Sequence, residues 1–234
     1  MSESVTTKLG EEPRYLLADA AILADVPKQT LRSWVQGWRE TNKRKAQPAC
    51  IRLDCPLEDP ICLSFFNTLE AGFLAAYRNL GVPMQRIRPA LDYAKKRLNI
   101  QRPLLHETFR VNGKDLFVEF QEESGFKRLV NVSKSGQTAW PELVNDYFRS
   151  IEYDKHGPIL RWLFGIERPF VGINPAIAFG SPCIIGRGVT TDVIVGRFQA
   201  RESHEEIAED FSITTVEVEE ALRWETESLR RRAA

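Results

Sequence analysis

Two stretches of the chain share one rhythm, a short amphipathic helix, a tight turn and a second helix, and carry opposite charge. The first is YLLADAAILADVPKQTLRSW, Tyr15 to Trp34, and the second is SHEEIAEDFSITTVEVEEALRW, Ser203 to Trp224. In the first, Leu16, Leu17, Ala20, Ala21, Ile22 and Leu23 recur at helical spacing, and Asp25-Val26-Pro27 breaks the pattern before Lys28 opens the next helix. Leu31 and Trp34, three apart, mark the inward face of that helix and leave Lys28, Gln29, Thr30, Arg32 and Ser33 outward. Trp34, in phase with Leu31, reads as a core anchor. The run WRETNKRKAQPACIRL that follows is polar, basic and then partly β-like, as a wing would be.

Formal charge over the 234 residues sums to zero, but it is segregated. Between Lys28 and Lys45 the cations Lys28, Arg32, Arg39, Lys43, Arg44 and Lys45 face the single acid Glu40, and Arg86, Arg88, Lys95, Lys96 and Arg97 continue the bias. A donor-rich helix face flanked by cations is what a major-groove reader needs. From Arg201 to Ser228, ten acids stand against Arg201 and Arg223, a local balance of minus eight. Such a face would repel phosphates and forgo counterion release. The second unit therefore reads as a packed three-helix core, or as a protein-binding or dimerising module with an acidic rim.

Between the two units, SFFNTLEAGFLAAYRNL predicts a helix capped by Ser64 and closed by Gly81. PMQRIRPALDYAKKRL predicts another from Pro83, in which Pro89 either kinks the helix or makes it begin late. After Leu98, LLHETFRV, DLFVEF and KRLVNV read as strands around an Asn112-Gly113 hairpin, PELVNDYFRSI as a helix and IEYDKHGPILRWLF as a hairpin closing at His156-Gly157. FVGINPAIAFGSPCIIGRG suggests short strands joined by fixed turns. Three helices follow over Thr190 to Ala200, Ser203 to Asp210 and Thr214 to about Leu229, and Ser203 with Glu206 and Thr214 with Glu217 both fit a capping box.

The opening MSESVTTKLGEEPR lacks a basic, apolar secretory leader, and no apolar run reaches the roughly 18 residues of a membrane span, so a cytoplasmic protein is expected. Cys50, Cys55 and Cys62 cluster without a Cys-x-x-Cys pair or a nearby histidine, so neither a metal nor a cofactor is expected. GRGVTT lacks the third glycine of a dinucleotide fingerprint, and His106, His156 and His204 stand beside no nucleophile motif, so no enzymatic activity is expected.

YLLADAAILADVPKQTLRSW resembles the winged helix-turn-helix of the MerR type at Tyr15, Ala21, Val26, Thr30, Leu31, Arg32 and Trp34, with Asp25 replacing the glycine common at the turn. That resemblance implies major-groove contacts from Lys28, Gln29, Thr30, Arg32 and Ser33 and a backbone grip from the wing residues Lys43, Arg44 and Lys45. The motif from Ile173 to Trp224, with Asn-Pro, Phe-Gly-x-Pro, Ile-x-Gly and a trihelical end, resembles the domain of unknown function numbered 433. The whole order resembles a long VapB-type antitoxin. This likeness implies a chain encoded beside a VapC-like toxin, a PIN-fold ribonuclease, which it binds and silences while repressing its own operon. Because such a nuclease gathers carboxylates around magnesium, Arg230, Arg231 and Arg232 of the tail LRRRAA are candidate toxin contacts.

The expected fold is α+β: a winged helix-turn-helix with a helical arm over 12–100, a mixed middle of hairpins and helix over 101–168, and a trihelical, homeodomain-like C-terminal domain over 169–230. The expected function is a DNA-binding antitoxin and autorepressor whose partners are operator DNA and a VapC-like PIN-fold toxin, acting as a homodimer without a membrane. The rivals are a stand-alone MerR-like regulator sensing a small effector and an adaptor that binds only proteins.

Overall fold

The computed structural model describes residues 5–38, 46–79, 81–97, 99–105, 150–153, 159–164 and 170–233. Helix α1 (Val5–Glu11) leads into strand β1 (Pro13–Leu16), α2 (Leu17–Leu23) and α3 (Lys28–Gln36). Strand β2 (Cys62–Ser64) lies antiparallel to β1, pairing Leu16 with Cys62 and Pro13 with Ser64. It delivers the chain into α4 (Phe65–Asn79), around which α1, α2, β1 and β2 pack.

Every residue of α4 from Phe65 to Ala75 is buried, as expected of a helix surrounded by other elements. Ser64 caps it, its hydroxyl accepting the Asn67 N–H at 3.0 Å, and Gly81 stands beyond its end at φ +80. The polar residues it buries are partnered. Asn67 donates to the Arg52 carbonyl at 2.9 Å and accepts from the Asp54 N–H at 3.1 Å, Thr68 donates to the Ser64 carbonyl at 2.8 Å, and Glu70 lies 3.3 Å from the Arg102 guanidinium.

Helix α5 (Met84–Arg97) starts directly after Pro83 and runs through Pro89, so the late start, one of the two expected alternatives, does not occur. Leu104 and Leu105, expected to open a strand, instead form a 3-10 turn over Pro103–Leu105. Both leucines are buried in that turn, which packs on α4 and α5, whereas a strand would send them to opposite faces. The expected Asn112-Gly113 hairpin, the KRLVNV strand and all but the last two residues of the PELVNDYFRSI helix fall outside the described residues.

The second half is organised by a four-stranded antiparallel sheet in the order β3 (Ile151–Tyr153), β4 (Ile159–Phe164), β5 (Val171–Ile173), β6 (Cys183–Ile184). β3 and β4 form the expected hairpin, with Ile151 opposite Trp162, while its turn at His156-Gly157 falls outside the described residues. The sheet takes strands from both sides of position 168. Helices α6 (Thr191–Gln199), α7 (His204–Phe211) and α8 (Thr215–Ala233) cover it. Both expected capping boxes form: Glu206 accepts the Ser203 N–H at 2.8 Å and Glu217 the Thr214 N–H at 2.6 Å.

Two apolar cores result. The larger joins α2 to α5 with Ile151, Trp162 and Ile173; the smaller gathers Val171, Ile184, Ile194, Ile207, Ile213, Val218 and Ala221. Phe164 and Trp224, stacked at 4.0 Å, pack against both.

Candidate nucleic-acid interface

The turn between α2 and α3 is closed by backbone bonds from Ala24 to Ala20 at 2.9 Å and from Val26 to Ala21 at 2.9 Å. Asp25 occupies it at φ +52, the left-handed conformation that favours glycine and that aspartate tolerates better than most residues. This accounts for Asp25 standing where a glycine was expected.

Helix α3 buries Leu31, Trp34 and Val35. On its other side Lys28, Gln29 and Gln36 are exposed, and Thr30, Arg32 and Ser33 are half-buried. The five residues expected to read bases therefore lie off the packed face, as the spacing of Leu31 and Trp34 predicts. Ser33 spends its hydroxyl proton on the Thr30 carbonyl at 2.7 Å, so toward a base edge it can only accept. Pro27, at the N-cap, offers no side-chain acceptor to the first turn.

The two described ends of the expected wing are fixed to each other. Trp38 and Gln47 exchange both backbone bonds, at 3.0 and 2.9 Å, and the returning segment hangs from α3 through Cys50 and Ile51, whose N–H groups donate to the Trp34 carbonyl at 2.8 and 3.1 Å. Gly37 makes the corner at φ +69, where an added Cβ would lie 2.3 Å from the Gln47 carbonyl oxygen. Lys43, Arg44 and Lys45 fall outside the described residues. Sequence reasoning missed Arg88 of α5, whose guanidinium donates to the Pro48 carbonyl and sits 5.8 Å from the Trp38 ring centre, tying α5 to the wing base. Beside it, an open groove of about 500 Å³ is lined by Gln47, Pro48, Arg88, Pro89, Asp92, Tyr93 and Lys96.

Residues 13–91 match the family described as "Putative DNA-binding HTH domain", and residues 171–224 match "Protein of unknown function (DUF433)". Over 90% of its length the chain is 30% identical to the Mycobacterium tuberculosis protein named "Putative antitoxin VapB45", of which the alignment covers 92%. The chain belongs to the VapB-type antitoxins. A second M. tuberculosis relative, "Uncharacterized protein Rv2308", is 26% identical over 94% of this chain and 92% of its own. The crystal structure of Rv2018 from the same organism superposes with a TM-score of 0.71 at 28% identity, over 90% of this chain and 98% of that one. The first match runs from β1 through α2, α3 and α4 into α5, and the second spans β5, β6, α6, α7 and the first half of α8.

In this VapB-type chain the C-terminal helix returns to the DNA-binding module. α8 extends to Ala233, about a turn beyond the expected end at Leu229, and packs on α2. Arg231 donates to the Ile22 carbonyl at 3.3 Å, in the last turn of α2, lies 3.3 Å from the Asp25 carboxylate and sits 6.0 Å from the Trp224 ring centre. A guanidinium at a helix C-terminus is a favourable dipole contact. Of the three arginines expected to meet the toxin, Arg230 is exposed, Arg231 is held at the helix-turn-helix turn, and the Arg232 side chain falls outside the described residues. Arg231→Ala should cost about 1 kcal/mol of stability, the scale of one charge-assisted bond with a partly exposed ion pair. Thermal unfolding checks it, and an unchanged midpoint would mean that the contact stabilises nothing.

The acidic surface is partly self-satisfied. Glu206 and Glu217 serve as caps, and hydrogen bonds from the Ser203 backbone and hydroxyl hold the Glu206 carboxyl below its ordinary value. Arg197 is clamped by Glu202 and, at 2.6 Å, by Asp210. Among the described residues no group of histidine, cysteine, aspartate and glutamate could hold a metal, and no helix is long and apolar enough to cross a membrane.

Proposed function

We propose that this chain is an autorepressing antitoxin: it holds its own operator with α3 in the major groove and neutralises a VapC-like PIN-fold ribonuclease through its C-terminal half. The observation that carries the reading is the polar flank of α3, turned away from its packed face, in a chain matched along nearly its whole length by the relative named a putative antitoxin. Lys28, Gln29, Thr30 and Arg32 would meet bases and phosphates, Ser33 would accept one bond, and Lys43, Arg44 and Lys45 would grip the backbone from the wing. A homodimer would place two α3 helices on half-sites about 34–36 Å apart, one helical turn of DNA.

Arg32→Ala should weaken operator binding by about 1–3 kcal/mol and relax preference at one base pair. A gel-shift titration against operator variants reads both, and undiminished affinity would remove Arg32 from the interface. Co-expression with the product of the neighbouring open reading frame tests the antitoxin role. Rescue of growth and recovery of a complex are expected, and persistent toxicity would reject the reading. The groove beside Arg88 supports a second reading, a regulator that senses a small effector next to its wing. Operator affinity that depends on an added ligand would favour it.

A further inference from the structure

The turn ahead of α3 carries an acid. Between Asp19 and Glu40 the sequence has no acid other than Asp25, and its side chain is 68% exposed. It stands three positions before Lys28, the first residue of α3. In a groove-reading helix the N-terminal end lies nearest the bases and the phosphates that flank them. A bare carboxylate there would repel the ligand that the helix is to receive. Glycine would meet the backbone demand of the turn, φ +52, without bringing that charge.

The last turn of α8 supplies the compensation. Up to Ser228 this helix carries Glu217, Glu219, Glu220, Glu225 and Glu227 against the single cation Arg223, and three arginines, Arg230 to Arg232, then follow. The helix thus changes sign at the end that meets the helix-turn-helix. Arg231 Nε lies 3.3 Å from Asp25 Oδ1, and Nη1 donates to the Ile22 carbonyl at 3.3 Å. Two turns back on the same face of α8, Trp224 packs against both cores, with its ring centre 6.0 Å from the guanidinium carbon. Three contacts therefore hold the cation beside the acid. A pair this open to solvent adds only modestly to stability, but it removes a negative charge from the field that an approaching polyanion meets.

We infer that Arg231 belongs to the operator-binding surface: the C-terminal helix carries it back to cancel Asp25, so that the cations of α3 meet DNA unopposed. This rests on the DNA-binding reading above and adds to it a residue from the far end of the chain. Arg231 acts through Asp25 and not on a phosphate, and the two roles give different results in a double-mutant cycle.

The test uses the full chain and a duplex taken from immediately upstream of its own reading frame. Arg231→Ala should weaken binding about five- to ten-fold at low salt, and the loss should shrink as salt is raised, because screening also hides the bared carboxylate. Asp25→Asn breaks the same ion pair but leaves no charge behind, and asparagine tolerates the left-handed turn. It should bind at least as tightly as the wild type. The double variant, Arg231→Ala with Asp25→Asn, should return to within about two-fold of wild-type affinity. Far-UV circular dichroism at the assay temperature checks that each variant is folded.

Weakening by Asp25→Asn would mean that the ion pair serves only to dock α8. A loss in Arg231→Ala that Asp25→Asn does not restore would mean that Arg231 binds a phosphate itself. Either result overturns the compensation. Undiminished affinity of Arg231→Ala overturns it as well and leaves the DNA-binding reading standing, whereas a wild type that ignores the duplex removes both.

Discussion

Trp34→Ala should lower the unfolding free energy by about 3–5 kcal/mol, the range for truncating a large buried aromatic. Trp34 is 4% exposed in the larger core, and its carbonyl accepts the two N–H groups, from Cys50 and Ile51, that suspend the segment returning to α3. The cavity would loosen α3 and the wing base together, so operator binding should fall with stability. Trp34→Phe should recover most of both, because it refills part of the volume and leaves the backbone bonds in place. Urea unfolding beside gel-shift titration separates the roles of this residue. Lost affinity at unchanged stability would mean that Trp34 touches DNA and is not a core anchor.

Glu70 makes stability depend on pH in a direction opposite to most carboxylates. It is buried within α4, and burial pushes its carboxyl up to about 7, against the opposing pull of Arg102 and a hydrogen bond from Asn67. The folded chain therefore holds a proton that the unfolded chain releases near the ordinary value of 4.5. The corresponding stabilisation is full below that value and is lost as pH rises through about 7. Glu70→Gln, which keeps the shape and cannot ionise, should remove this slope and gain on the wild type by up to about 3 kcal/mol between pH 4.5 and pH 8. Arg102 keeps Asp54 and Glu11 in the variant, so the cation is not stranded. Chemical unfolding at both ends of that window reads the difference. A constant gap would mean that Arg102 keeps Glu70 ionised throughout.

The packed and outward faces of α3 were legible because helices announce themselves locally. Leu31 and Trp34 fixed the inward face of α3 by spacing alone, and with it the outward set of Lys28, Gln29, Thr30, Arg32 and Ser33. The glycine-like turn at Asp25 was legible as a departure from pattern, and its φ of +52 supplies the reason that aspartate serves. Arg88 was visible only as one more cation, since nothing in RIRPAL says that its guanidinium will reach Pro48. Leu104 and Leu105 were misread because two adjacent apolar residues fit a strand or a tight turn equally well, and burial against α4 and α5 chose the turn. Arg231 was visible only as one of three tail cations, since its place beside Asp25 belongs to the fold and not to the residue.

The amino-acid sequence alone determined the starts of the helices capped by Ser64, Ser203 and Thr214, and it separated a cationic front from an anionic rear; it did not show α1, the strand that takes Leu16, or the last turn of α8 to Ala233. Caps such as Ser64, Ser203 and Thr214 act within three residues, and charge is additive along a chain. Only the tertiary structure decided that the two halves are fastened together: Tyr15 to Gly180 across 165 positions, and Arg231 to Ile22 across 209. Such contacts leave no periodic trace, because their energy appears only after the intervening chain has been folded and its closure entropy met. The second of these bonds holds Arg231 on the recognition turn.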